Sequence, residues 1–502
     1  MTLRTPDRSV DELLRRGAEY QRAAEHDKAE DCFREALVQQ PENPDALHLL
    51  ADALGMRGYA HQERGELDAA AECYLEALAL APVLAQVHNN LGNVYRSLGR
   101  PDEAVAAYRE AIAVDAGLAE AHLNLGTVLH LAGEATEAAA HYRTALRQRP
   151  ELVQAALNLG HLLEADGDMQ GAADCYRRAI AAKPDFAEAH FNYALQLLLA
   201  GNLSRGWEEY EWRLRLPDLQ PYWPYADRPR WDGSDLHGKV ILLYAEQGFG
   251  DALQFARYVP LVAERGGRVI VSCRSQLKAL FEHAKWDCQV VNAGDPPPAF
   301  DLCCPLPSLP RIFGTTQATI PARIPYLHAE TAKTARWEVR LAADGNALKV
   351  GLVWSTEARS RIALQKSLSL DMLDPLAAIP GVIFYSLQKG PAAAEVKRAP
   401  EGMRLVDIAS ELEDFSDTAA LISQLELVVT IDTAVAHLAG AMGKPVWTLT
   451  HWPPDWRWLL GRDDSPWYPT MRLFRRARTD SWADTILRVA QALQRLAGQR
   501  AG

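Results

Sequence analysis

The chain has few cysteines, and none are spaced for metal. Seven in 502 residues (Cys32, Cys73, Cys175, Cys273, Cys288, Cys303, Cys304) include no C-x-x-C pair. Their odd number and scatter fit buried reduced thiols better than a disulfide framework or a zinc site. Long apolar runs are missing too, so no bilayer span is expected. The start, Met1 to Val10, is polar and lacks the apolar core of a signal peptide, which makes the cytoplasm the expected compartment. Positive charge is in deficit. Lys and Arg number 53 against 65 Asp and Glu, a net charge of −12. This argues against nucleic acid or an anionic membrane as the main partner. What remains, 48% hydrophobic and 24% charged residues, is ordinary soluble composition, and the length calls for two or more domains. The Ala- and Arg-rich usage is in keeping with a bacterial chain.

The most informative presence is a period. Asn90, Asn124, Asn158 and Asn192 recur 34 residues apart, each two residues before Gly92, Gly126, Gly160 or Ala194. A 34-residue period is the mark of the tetratricopeptide (TPR) helix–turn–helix repeat, which stacks into a superhelix. Five repeats are read from Gly17/Phe33, Gly58/Tyr74, Gly92/Tyr108, Gly126/Tyr142 and Gly160/Tyr176. The wider spacing in the second predicts a first helix about two turns longer than usual. A sixth unit opens at Ala187 and then departs from the pattern, with Trp207 and Trp212 suited to docking on another surface. The aligned carboxamides carry both donor and acceptor and suit a polypeptide backbone. A structural or solvated asparagine is the competing reading.

From Lys239 the period changes. Apolar β-rich runs at 240–244, 269–272, 289–291 and 301–303, then at 350–354, 382–387, 427–431 and 445–449, alternate with helical stretches. This pattern predicts parallel α/β sheets. A polar stretch at 329–347 divides the two series into Rossmann-like halves facing a cleft. The last amphipathic helix, 481–496, is expected to pack back across the first half.

Four constellations carry possible chemistry. Glu246-Gln247-Gly248-Phe249-Gly250-Asp251 follows the first strand. Asp251 there is either a general base or a plain helix cap, and the turn is not a G-x-G-x-x-G dinucleotide fingerprint. Asp432-Thr433-Ala434-Val435-Ala436-His437 follows strand 427–431. It would hold a diphosphate at a helix N-terminus, or cap the helix with His437 as a core histidine. Trp354-Ser355-Thr356 with Arg361, Lys366 and Ser367 is either a phosphate-neutralising loop or a solvated one. Ser386-Leu387-Gln388-Lys389 ends the next strand at the same rim. Trp452, Trp456, Arg457 and Trp458 would stack a base or sugar, or fill an interdomain core.

Together these motifs resemble the GT-B glycosyltransferases of the ADP-heptose–lipopolysaccharide heptosyltransferase type. The matching features are Gly250-Asp251, Lys366 and Asp432-Thr433-x-x-x-His437. The resemblance implies Asp251 as catalytic base, with Lys366, Asp432 and Thr433 holding the nucleotide diphosphate. It also implies inversion without a metal. Ala434 stands where that family usually has Gly, and Leu368-Ser369 where Trp-Pro often follows, so heptose is not implied. The front half resembles the TPR superhelix of O-GlcNAc transferase, whose asparagine ladder holds polypeptides. The whole resembles bacterial TPR–glycosyltransferase fusions, including those that glycosylate flagellin.

The expected architecture is an α-helical TPR superhelix over 1–215, a linker over 216–238, GT-B halves over 239–335 and 336–480, and a C-terminal helix over 481–502. The expected activity moves a sugar from a nucleotide-sugar substrate, with no cofactor, to a hydroxyl of a polypeptide in the TPR groove. The donor would meet Lys366, Ser367, Gln388, Asp432, Thr433 and His437. The acceptor would meet Asn90, Asn124, Asn158, Asn192, Gly248 and Gly250. A homodimer is compatible with the repeats. The alternatives are a lipid or oligosaccharide acceptor, with the TPRs as an interaction arm, and a scaffold with a decayed transferase half.

Overall fold

The computed structural model describes residues 9–222, 224–246, 248–356 and 361–501. Gln247 and the side chain of Arg361 lie outside the described residues. The chain divides into two compact units, through Phe186 and from Ala187.

The first unit is five helix pairs: α1 (Val10–Arg22) with α2 (His26–Gln39), α3 (Pro44–Glu63) with α4 (Leu67–Leu80), α5 (Ala85–Ser97) with α6 (Pro101–Val114), α7 (Ala119–Leu131) with α8 (Ala135–Gln148), and α9 (Val153–Asp166) with α10 (Met169–Ala182). The marker residues explain the pairing. A Cβ on Gly17, Gly58, Gly92, Gly126 or Gly160 would lie 2.4–2.8 Å from the ring of Phe33, Tyr74, Tyr108, Tyr142 or Tyr176. Each ring is fully buried against the glycine of its partner helix. The turns inside the pairs need a left-handed residue, supplied by Gly65, Gly99, Gly133 and Gly167; in the first pair Ala24 takes that conformation instead, at φ 60°. The lengthened helix is α3, with 20 residues against 13 in α1, α5 and α7.

The second unit opens with the sixth helix pair, α11 (Ala187–Leu199) and α12 (Leu203–Tyr210). The division thus precedes this pair, whereas the sequence put the boundary after Arg215. The reason is aromatic. Trp207 is buried, donates Nε1–H to the Thr315 carbonyl at 3.1 Å, and meets Phe255, Trp456 and Trp467 edge-on. Arg213, fully buried just beyond, is paired with Glu246 at 2.8 Å.

Next come β1 (Val240–Tyr244), α13 (Phe249–Phe255), α14 (Val259–Ala263), β2 (Arg268–Cys273), α15 (Ser275–Glu282), β3 (Cys288–Asn292), β4 (Leu302–Pro305) and α16 (Leu309–Ile312). They are followed by α17 (Thr331–Leu341), β5 (Leu348–Val353), α18 (Arg361–Lys366), α19 (Asp374–Ala377), β6 (Val382–Ser386), β7 (Leu405–Asp407), α20 (Phe415–Gln424), β8 (Leu427–Ile431), α21 (Ala434–Ala441), β9 (Val446–Thr450), β10 (Met471–Arg475) and α22 (Trp482–Ala501). The strands form two parallel sheets, ordered β3-β2-β1-β4 and β10-β9-β8-β5-β6-β7. Each order reverses once, between β1 and β4 and between β5 and β8. Open α/β sheets bind ligands beyond the carboxyl ends of strands at such reversals.

One expectation is corrected. Helix α22 does not lie across the first sheet. Its Ile486, Val489 and Leu493 enter the core of the second, with Leu348, Leu376 and Val382. The apolar stripe of α22 matches the face that β5 and β6 leave open. None of the seven cysteines is in a disulfide. Among the described residues no helix is long and apolar enough to cross a membrane.

Candidate functional site

Four strand ends come together beside the reversals. A cavity of about 530 Å³ is lined by Gly248, Phe249 and Gly250 after β1, Ser355 and Thr356 after β5, Gln388 and Lys389 after β6, and Thr433, Ala434 and Val435 after β8. Phe249 and Phe415 touch across it, with ring centroids 5.0 Å apart.

Asp251 sits in the first turn of α13. One carboxylate oxygen accepts the Gly248 N–H at 3.3 Å, and the other accepts Nη2 of Arg457. The cap and the ion pair are therefore both real. Arg457 also donates Nε to Gln254 (2.7 Å) and Nη1 to Asp455 (2.8 Å), and lies over the Trp456 ring at 4.3 Å. Burial alone would raise the Asp455 carboxyl, but Arg457 and then Lys366 hold it down at about 2.

Lys366 ends α18 and donates Nζ to Asp432 at 2.7 Å. Burial works against its charge, yet Asp432 and Asp455 outweigh burial and raise its pKa. Thr433 is the N-cap of α21 but makes no side-chain cap bond. Its hydroxyl meets Thr430 Oγ1 at 3.0 Å instead. Because the Thr430 hydroxyl donates to the Ile431 carbonyl at 2.7 Å, Thr433 is the donor in that contact and keeps its lone pairs. The first-turn N–H groups of α21 receive no cap from this side chain.

Other candidates are occupied. Gln388 is buried and fully used: Oε1 accepts the N–H groups of Trp354 and Ser355, and Nε2 donates to the carbonyls of Ser355 and Lys389. Ser367 accepts the Thr356 N–H and donates to the Ala363 carbonyl. These two residues shape the loop after β5. His437 is buried rather than on the cavity wall. Its Nδ1 meets Tyr468 Oη at 2.9 Å and its ring stacks on Trp458. Burial first, then Arg457, lowers its pKa to about 3. A Cβ on Gly250 would lie 3.0 Å from this ring, so Gly250 lets α13 approach α21. Trp456 and Trp458 are core residues, which settles their two readings in favour of packing.

The asparagines are half-buried and internally bonded. Asn124 donates to Asn89 of the preceding pair at 2.9 Å, and Asn158 to Tyr142 Oη at 3.4 Å. Asn90 and Asn158 accept from Gln86 and Gln154. Asn192, in the second unit, donates to the Glu188 carbonyl. Sequence reasoning missed Asp455, and it counted Arg457 only among aromatics. The available signal was the charged D-x-R pair set among tryptophans.

Comparison with known proteins adds the family. Residues 58–99, 92–153 and 157–210 match tetratricopeptide repeat models. Residues 381–451 match glycosyltransferase family 9 (heptosyltransferase). The chain joins TPR repeats to a family 9 glycosyltransferase domain. The family 9 segment contains Gln388, Asp432, Thr433 and His437, while Asp251 and Lys366 precede it. A curated relative, protein FlbA of Caulobacter vibrioides, is 30% identical over 326 residues, covering 59% of this chain and 53% of the relative. The chain therefore spans about half the length of that relative. Among solved structures, MamA is 23% identical with a TM-score of 0.30, covering 32% of this chain and 92% of its own. Pseudomonas aeruginosa PilF is 22% identical with a TM-score of 0.33, covering 42% and 92%.

Proposed function

We propose that this chain is an inverting glycosyltransferase of the GT-B type, with the donor between the two sheets and a polypeptide hydroxyl as acceptor. The observation that carries the reading is the meeting of Lys366 with Asp432 beside the uncapped start of α21, which lines the cavity together with the Gly248–Gly250 turn that precedes Asp251. Asp251 takes the proton of the acceptor hydroxyl. The oxygen bonds to the anomeric carbon as the bond from that carbon to the diphosphate breaks. Lys366 and the N–H groups of α21 receive the departing charge. His437 acts here as a spacer between α13 and α21, not as a donor contact. The family 9 match supports transfer from a nucleotide sugar.

The polypeptide acceptor rests on the TPR repeats. The bonds of Asn124 to Asn89 and of Asn158 to Tyr142 favour a second reading, in which the ladder joins repeats and the TPRs only recruit a partner. A thermal-shift screen with ADP, UDP, GDP and CMP tests the core of the proposal. One nucleotide should raise the Tm, and Lys366→Ala or Asp432→Ala should abolish the shift. No shift with any nucleotide would leave a scaffold. Replacing Asn90, Asn124 and Asn158 with Ala should stop protein modification while donor hydrolysis continues. Unchanged modification would favour the second reading.

A further inference from the structure

We infer that Arg457 is a positioning residue that sets the aim of Asp251 from the opposite half of the cleft. The inference rests on the catalytic reading of Asp251. Three guanidinium nitrogens have three separate acceptors: Gln254 on α13, Asp455 on the loop after β9, and Asp251 itself. The plane of the group is further held over Trp456, whose ring is buried against Trp207 and Phe255. Arg457 is thus fixed by residues of both halves, and only one of its contacts reaches the proposed base.

Asp251 has no other strong anchor. Among the described residues its second oxygen meets only the Gly248 N–H at 3.3 Å, in a turn that begins with two glycines around Phe249. A carboxylate on so short a helix keeps its direction only if something outside the helix holds it. A guanidinium offers a rigid planar fork, whereas an amide or ammonium in its place cannot reproduce all three directions. Arg457 touches the carboxylate of Asp251, and its other guanidinium nitrogens are taken by Gln254 and Asp455. Asp251 therefore adopts its working direction only when the loop after β9 stands against α13. The base is assembled by both halves.

The test uses the full chain and the release of nucleotide from labelled ADP-, UDP-, GDP- and CMP-sugars, with water as acceptor. Arg457→Gln should lower kcat by about 100-fold, the scale of a small misplacement of a reacting group. The donor KM and the nucleotide-induced Tm shift should stay near wild type. Arg457→Lys should recover part of the rate, and it serves alone if the Gln variant does not fold. A wild-type kcat in both variants, with Asp251→Ala inactive, overturns this inference and leaves the catalytic reading intact. Loss of the nucleotide Tm shift in Arg457→Gln also overturns it, because Arg457 would then be a donor contact. Undiminished turnover by Asp251→Ala removes the catalytic reading and this inference with it.

Discussion

The first unit is held by contacts within a helix pair and between neighbouring pairs, and the second by contacts between distant stretches. Gly160 meets Tyr176 inside one repeat, and the same arrangement occurs five times. Arg457 and Asp251 stand 206 residues apart and meet once. A periodic stack spreads its stability over equivalent parts, so damage stays near its origin. A site built at sheet reversals depends on a few unrepeated pairs, each without a substitute.

The largest expected departure from this contrast is at the buried pair of the second unit. Arg213→Met strands Glu246, whose side chain is fully buried, and should cost about 3–5 kcal/mol. Denaturant unfolding of the second unit reads it, and adding Glu246→Leu should return most of the loss. In the first unit, Gly160→Val places a side chain where Tyr176 already lies 2.4 Å from a Cβ, for a cost of about 2–3 kcal/mol. Hydrogen exchange should rise in α9 and α10 while α1 to α4 stay protected. Loss of protection throughout the unit would refute local containment.

Acid should separate the units further. His437 is neutral when buried, with a pKa of about 3 against about 6.5 when exposed. The unfolded chain therefore takes the proton first, and stability falls as pH drops from about 6.5 toward 3. The cost is about 2 kcal/mol by pH 5. His437→Gln should flatten this dependence in urea unfolding of the second unit. The smallest effect runs the other way. Ala24→Gly relieves a left-handed alanine and should stabilise the first repeat by about 1 kcal/mol, visible as slower exchange in α1 and α2.

The same contrast explains what was legible in the sequence. The repeats were, because the Gly and Tyr of each contact return every 34 residues. Strands β1 and β8 were, to the residue, because both are continuous apolar runs at the middle of a sheet. Strands β7 and β10 were not. Both are sheet edges, β7 is three residues long, and Arg472 and Arg475 interrupt the apolar run of β10. Lys366 and Asp432 were legible as motif positions, but their meeting was not, since pairing depends on strand order. Gln388 lines the cavity with its hydrogen bonds already used and His437 is buried behind it, neither of which sequence shows from the residue type.

The Arg213–Glu246 pair also has a consequence for anyone dividing the gene. Glu246 ends the segment that leads into the Gly248–Asp251 turn, and its partner belongs to the chain that leaves the sixth helix pair. A fragment cut at Lys239 would keep the acid and lose its counter-ion, along with the tryptophan that backs Trp456. The second unit is portable only from Ala187, and the last helix pair of the repeat array travels with the two sheets.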